Sequence, residues 1–141
     1  MSGVDFLDTN VLVYSIDAAH PAKNRIASAI VGAAIAQQSA IVSFQVVQET
    51  LQVITRKVRV VAQDADAGAF LAAVLVPLWK VQPNPELYQR ALDVQAKQGF
   101  SFYDSLIVAA ALQAGCKRLL SEDLQHGQRI GALRIENPFR T

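Results

Sequence analysis

"SFYDSLIVAAALQAGCKRLLSEDLQHG", residues Ser101 to Gly127, carries the reading of the fold. After Ser105, nine of the next ten residues are apolar or glycine, and the tenth is Gln113. A helix of that composition is apolar nearly all round and belongs inside a protein. Gly115 marks its C-terminal end, and Arg118 to Ser121 reads as a short strand. A buried helix leading into a buried strand is half of the alternation that builds a parallel sheet covered on both faces.

Asp104 sits at the head of that helix, sharing a stripe with Ile107, Val108 and Ala111. Ser101 and Asp104 fit the S-x-x-D spacing of a capping box, and an acid in the first turn suits the helix dipole. That structural role accounts for Asp104 taken alone. A second role depends on where the other acids of the chain fall.

Working outward, the same alternation recurs. Val4 to Leu7 reads as a strand, and Asn10 as the N-cap of a short helix from Val11 to Ile16. His20 to Gln38 has helical periodicity. Ala40 to Ser43 is a second strand, and Ser43 caps a helix from Phe44 to about Val60. Another helix starts at Asp64 and runs through Leu71, Leu75 and Leu78, followed by a possible short strand at Val81. Pro85 at N1 opens a helix from Asn84 to about Gln98, which Gly99 ends. Leu133 to Ile135 is the last strand. The pattern predicts an α/β fold with a parallel sheet, in which ligands bind outside the carboxyl ends of the strands near a topological switch point.

The bulk numbers fit this picture. A chain of 141 residues suits one domain, residues 1–141. A domain of that size buries roughly two thirds of its unfolded surface. Apolar residues make up 52% and charged residues 18%, below the usual charged share, which implies a large core or an apolar partner surface. A net charge of +1 gives no broad electrostatic footprint for nucleic acid, leaving room only for a local basic rim. Cys116 is alone, so neither a disulfide nor a cysteine zinc site forms within the chain, which fits a reducing cytoplasm. The N-terminal stretch has no signal-peptide pattern. The longest apolar run, Ala69 to Trp79, is too short to span a bilayer and contains Pro77.

Four acids fall where the sheet rule expects a crevice. Asp8 follows the first strand, and Asp123 follows the strand ending at Ser121. Glu49 lies about two turns into the helix leaving the second strand, on a stripe with Val46 and Val53. Asp104 heads the buried helix. Like charges so gathered either take up protons or hold a cation. Hard oxygen donors without a His or Cys cluster favour Mg²⁺ or Mn²⁺ over zinc. Asp104 can serve as both cap and ligand, since a carboxylate has two oxygens.

With "LDTNVL", "VVQET", "YDSLIVAAAL" and "LLSEDLQHG" in this order, the chain resembles a PIN-domain nuclease over essentially its whole length. The subgroup it most resembles is the toxin ribonucleases of bacterial type II toxin–antitoxin modules. The resemblance implies a three-layer α/β/α sandwich and metal-dependent cleavage of RNA. It maps the acidic site onto Asp8, Glu49, Asp104 and Asp123, with Thr9, Asn10 and Ser121 as polar support. Asp8, Asp104 and Asp123 are the metal-ligand candidates, and Glu49 either ligates or orients the attacking water. Glu122 departs from the pattern, standing where many members carry a neutral residue, and adds charge beside the site. The resemblance also implies a homodimer and an antitoxin partner, and the run "AFLAAVLVPLW" offers apolar surface for association.

Arg56, Lys57 and Arg59, past the Glu49 helix, and Lys23 and Arg25 are candidates for a phosphate-positioning rim. His126 reads as a turn residue. Rival readings are weaker. An aspartyl-phosphate phosphatase would want a second acid at Asn10, and a receiver domain would want its acceptor at a mid-chain strand end, whereas Glu49 is on a helix. A PIN-like module that binds RNA or protein without cutting stays open as the alternative.

Overall fold

The computed structural model describes residues 4–56 and 66–140. A three-residue strand, β1 (Asp5–Leu7), organises the sheet. Its side chains Phe6 and Leu7 are completely buried, so β1 lies at the centre. It pairs in parallel with β2 (Ala40–Ser43) on one side and with β4 (Arg118–Leu120) on the other. β3 (Trp79–Val81) extends the sheet beyond β2, also in parallel. β6 (Leu133–Glu136) runs parallel beside β4, and β5 (Arg129–Ile130) closes the edge as its antiparallel hairpin partner. The strand order is β3-β2-β1-β4-β6-β5. The chain builds outward from β1 through β2 and β3, then restarts on the opposite flank with β4. The switch point is therefore the β1/β4 seam, where Leu7 pairs with Leu120. Asp8 and Ser121 are the next residues on each side.

Helices cover this sheet in a three-layer α/β/α arrangement. α1 (Thr9–Tyr14) packs against α2 (Pro21–Gln37) and α3 (Phe44–Arg56). α4 (Asp66–Phe70) continues through a π-helical turn, Leu71–Leu75, into α5 (Val76–Leu78). The widened turn closes with Val76 N–H donating to the Leu71 carbonyl. Pro77 has no N–H to give and its ring crowds the carbonyl four residues back, which favours such a bulge. α6 (Pro85–Gln98) and α7 (Phe102–Gln113) form a long packed pair. Residues Ser105 to Ala111 of α7 are all buried, as its all-round apolar composition requires.

The predicted punctuation is seen where it falls on described residues. Asn84 caps α6 by accepting from Leu87 N–H at 2.8 Å. Gly99 ends that helix at φ +76°, a conformation that penalises any residue with a Cβ. One cap differs from the prediction. Asp8, not Asn10, is the N-cap of α1, accepting from Thr9 N–H at 2.7 Å. Asp8 is the single residue between β1 and α1, so the cap falls to the strand's immediate successor. The predicted extension of α3 to Val60 and the start at Asp64 lie outside the described residues.

Arg118 clasps the opposite end of the sheet. Its Nε and Nη2 donate to the Asp5 carboxylate at 2.9 and 2.6 Å, and Nη1 donates to Glu136 at 2.9 Å. Such bidentate pairing is specific for a guanidinium, and it ties β1, β4 and β6 in register. Cys116 is buried, and burial pushes its thiol up to about 12, so it is unreactive. Among the described residues, no helix is long and apolar enough to cross a membrane.

Candidate active site

At the carboxyl ends of β1 and β4, a cleft of about 870 Å³ is lined by Asp8, Glu49, Asp104, Glu122 and Asp123. Four different elements supply these acids. Asp8 caps α1, Glu49 lies in the middle of α3, Asp104 stands in the first turn of α7, and Glu122 and Asp123 follow β4.

Asp8 is the buried member, 7% exposed. Thr9 N–H donates to its Oδ1 at 2.7 Å and Ser121 Oγ donates to its Oδ2 at 2.7 Å. Burial outweighs these two bonds, and the charges of Asp123 and Glu49 act in the same direction as burial. The carboxyl is pushed up from its ordinary 3.8 to about 6. Desolvation, rather than repulsion among the acids, is the main cause.

Each neighbouring acid is held by its own donors. Glu49 accepts from Thr9 Oγ1 at 2.7 Å on one oxygen and from Gln45 Nε2 at 3.1 Å on the other. Gln45 also donates to the Tyr103 carbonyl at 3.1 Å, joining α3 to the start of α7. Asn10 Nδ2 donates to Asp123 Oδ2 at 3.2 Å, while Asn10 Oδ1 accepts from Glu122 N–H at 3.2 Å. Thr9, Asn10 and Ser121 thus all bond to acids of the cleft. At α7, Ser101 Oγ accepts from Asp104 N–H at 3.1 Å. This is the capping bond, and it uses the Asp104 backbone. Among the described residues, the Asp104 carboxylate makes no hydrogen bond and lines the cleft.

Glu122 is not a free extra charge. Tyr14 OH donates to it at 2.8 Å and Lys23 Nζ donates to its other oxygen. Burial draws its pKa upward, but the bonds from Lys23 and Tyr14 outweigh that and hold the group below the ordinary glutamate value. Lys23, from the proposed basic rim, is therefore engaged with Glu122. Arg25 and Arg56 are exposed and do not line the cleft. Lys57 and Arg59 lie outside the described residues. His126 stands in the loop before β5, accepting from Asn137 N–H at 3.1 Å, away from the cleft.

Sequence reasoning missed Tyr14, Lys23 as the partner of Glu122, Gln45, and the pair Asp17 and His20, which also line the cleft. Gln45 was findable, because it stands four residues before Glu49 on one helix face. The Lys23–Glu122 pair spans 99 positions and left no local signal.

The donor set is chemically suited to a hard divalent cation, since it consists of carboxylates whose oxygens keep lone pairs beyond their protein bonds. As they stand, no three His, Cys, Asp or Glu side chains among the described residues are gathered into a ready-made metal cage. Of these acids, Asp104 is the least restrained, its carboxylate making no hydrogen bond among the described residues.

The PIN domain family model matches residues 6–129, and the chain belongs to that family. A comparison with curated proteins found no match. Among solved structures, the chain is similar to DNA-bound VapBC from Salmonella typhimurium, 16% identical over 96% of this chain and 98% of that one, with a TM-score of 0.67. It is also similar to FitAcB from Neisseria gonorrhoeae, 18% identical over 98% and 100%, TM-score 0.63. A third is VapC20 from Mycobacterium tuberculosis, a Sarcin-Ricin loop cleaving toxin, 18% identical over 84% and 89%, TM-score 0.57. At these identities the likeness establishes the fold.

Proposed function

We propose that this chain is a Mg²⁺- or Mn²⁺-dependent endoribonuclease acting as the toxin of a toxin–antitoxin module, a single cytoplasmic domain working as a homodimer. The observation that carries the reading is the convergence of Asp8, Glu49, Asp104 and Asp123 on one cleft from four separate elements. Membership of the PIN domain family supports nuclease chemistry. The VapBC and FitAcB neighbours support an antitoxin partner, and VapC20 supports RNA as the substrate.

Asp8, Asp104 and Asp123 are the side chains that would hold the ion. Such an ion supplies activation of water and neutralisation of charge at phosphorus. Glu49, clamped by Thr9 and Gln45, ligates or orients the attacking water from α3. Ser121 and Thr9 N–H keep Asp8 aimed into the cleft. Dimerisation draws on exposed apolar side chains, among them Val76 at 52% exposure, within the apolar run noted in the sequence. The test is cleavage of RNA by the purified protein with Mg²⁺ or Mn²⁺, and its loss with chelator.

A further inference from the structure

The cleft is short of positive charge. Asp8, Asp17, Glu49, Asp104, Glu122 and Asp123 line it, and among the described residues no lysine or arginine does. A nucleic-acid chain placed there carries a phosphate beyond the scissile one at each step, and those phosphates need donors of their own. One lining side chain offers a ring nitrogen held by a buried carboxylate, charged only when protonated, and it is His20.

The geometry of His20 is that of a held group. Its Nδ1 lies 2.7 Å from Asp17 Oδ2. Asp17 is itself buried, 6% exposed, and its second oxygen accepts from Ala19 N–H at 2.8 Å. The imidazole edge meets the Tyr14 ring at 5.6 Å and 72°. Tyr14 is fixed in turn by its bond to Glu122 and by the ring of Phe139 at 5.0 Å. The His20 side chain remains 55% exposed. His20 occupies the N-cap position of α2 yet makes no side-chain capping bond, so helix capping does not explain it. With Nδ1 committed to Asp17, the nitrogen left for a ligand is Nε2.

We propose that His20 is a substrate-binding residue of the cleft, its Nε2 donating to a phosphate oxygen of the RNA chain next to the scissile linkage, with Asp17 as its positioning residue. The proposal rests on the ribonuclease reading above and names a contact of that same site. A phosphate contact away from the reacting atoms binds ground state and transition state alike, so its loss raises KM and leaves kcat nearly unchanged.

Two measurements separate the possibilities. Cleavage kinetics with Mg²⁺ on a short single-stranded RNA give KM and kcat, and fluorescence anisotropy of the same labelled RNA on an Asp8→Asn background gives Kd and its salt dependence. His20→Ala is expected to raise KM and Kd several-fold with kcat within twofold. It should also flatten the slope of log Kd against log salt by up to about 0.7, one phosphate contact on a single strand. His20→Arg should recover the slope, and Asp17→Asn should weaken binding less than His20→Ala. Equal melting temperatures would show that the fold is intact. If His20→Ala leaves KM, Kd and the salt slope unchanged, or if the protein binds no RNA, the proposal is overturned. If the parent protein binds RNA in a His20-dependent way yet never cleaves it, the contact stands and the nuclease reading fails.

Discussion

Ser121 Oγ donates to Asp8 Oδ2 at 2.7 Å, and the same oxygen accepts from Asp123 N–H at 3.1 Å. One fully buried hydroxyl therefore connects the acid after β1 to the acid after β4, across the switch point of the sheet. Ser121→Ala removes a donor from a buried carboxylate, a loss of about 1–3 kcal/mol. It also removes a bond that lowers the Asp8 pKa, so Asp8 should titrate above 6 in the variant. Chemical denaturation and the pH dependence of stability, both in chelator, measure the two effects. Unchanged stability and an unchanged pH dependence would refute the role.

Asp8 makes the metal-free protein sensitive to pH in a defined sense. Its folded pKa, about 6, lies above its ordinary 3.8, so between those values the folded state binds more protons than the unfolded chain. Stability then falls as pH rises through that window and levels off above it, with a total from this group of roughly 3 kcal/mol. Asp8→Asn should flatten this slope and raise the melting temperature at neutral pH in chelator. The gain is smaller than the full figure, about 1–2 kcal/mol, because an amide offers only one acceptor oxygen to Thr9 N–H and Ser121 Oγ. Mg²⁺ at a hundredfold excess over its dissociation constant should add roughly 2.7 kcal/mol to the parent and much less to the variant. Thermal melts across this pH range, with chelator and with Mg²⁺, provide the check. A lower melting temperature for Asp8→Asn in chelator at neutral pH would contradict the account.

The two roles of the α7 terminus are separable, because the capping bond uses the Asp104 backbone and leaves its carboxylate to the cleft. Asp104→Asn should lower cleavage by orders of magnitude while changing stability by less than about 1 kcal/mol, the size of a helix-dipole effect. Ser101→Ala should do the reverse, costing about 1 kcal/mol with kcat nearly intact. Denaturation and kinetics on the pair decide it, and full activity in Asp104→Asn would leave that residue a structural role only.

How much of this was legible follows the range of the interactions. β1, β2 and β4 were readable because each is a short apolar run bounded by polar residues, and α7 because its apolar content is too high for a surface. Asp8, Glu49, Asp104 and Asp123 were readable as a group because the sheet rule gives strand ends an address. The α1 cap was misplaced by two residues, since Asp8 and Asn10 are both good caps and only the end of β1 decides between them. β5 is two residues long and carries no periodicity. The π-helical turn and the Lys23–Glu122 pair depend on a local steric clash and on a contact between distant segments, and neither is encoded in a pattern of spacing.

Glu122 offers a test of that long-range pair. With Lys23 and Tyr14 bonded to it, its charge is balanced at the rim of the cleft. Lys23→Met should release that charge and tighten Mg²⁺ binding several-fold, while Glu122→Gln should leave the lysine's positive charge unbalanced and weaken binding by a similar factor. Both groups are partly exposed, and solvent screens such a pair, so stability should barely move. Calorimetric titration with Mg²⁺ distinguishes the variants. Tighter binding in the parent than in Lys23→Met would mean that Glu122 is not held in balance by the lysine.

The proposed function requires Asp8, Glu49, Asp104 and Asp123 to act as one metal-dependent site for cutting RNA. It is tested by cleavage of single-stranded RNA by the purified chain, with Mg²⁺ or Mn²⁺ and with chelator, alongside Asp8→Asn, Glu49→Gln, Asp104→Asn and Asp123→Asn. The expected result is cleavage by the parent that chelator abolishes, a loss of at least about a hundredfold in each variant, roughly 2.7 kcal/mol in barrier, and full activity in His126→Ala. Cleavage that persists in chelator, or survives undiminished in these variants, would contradict it.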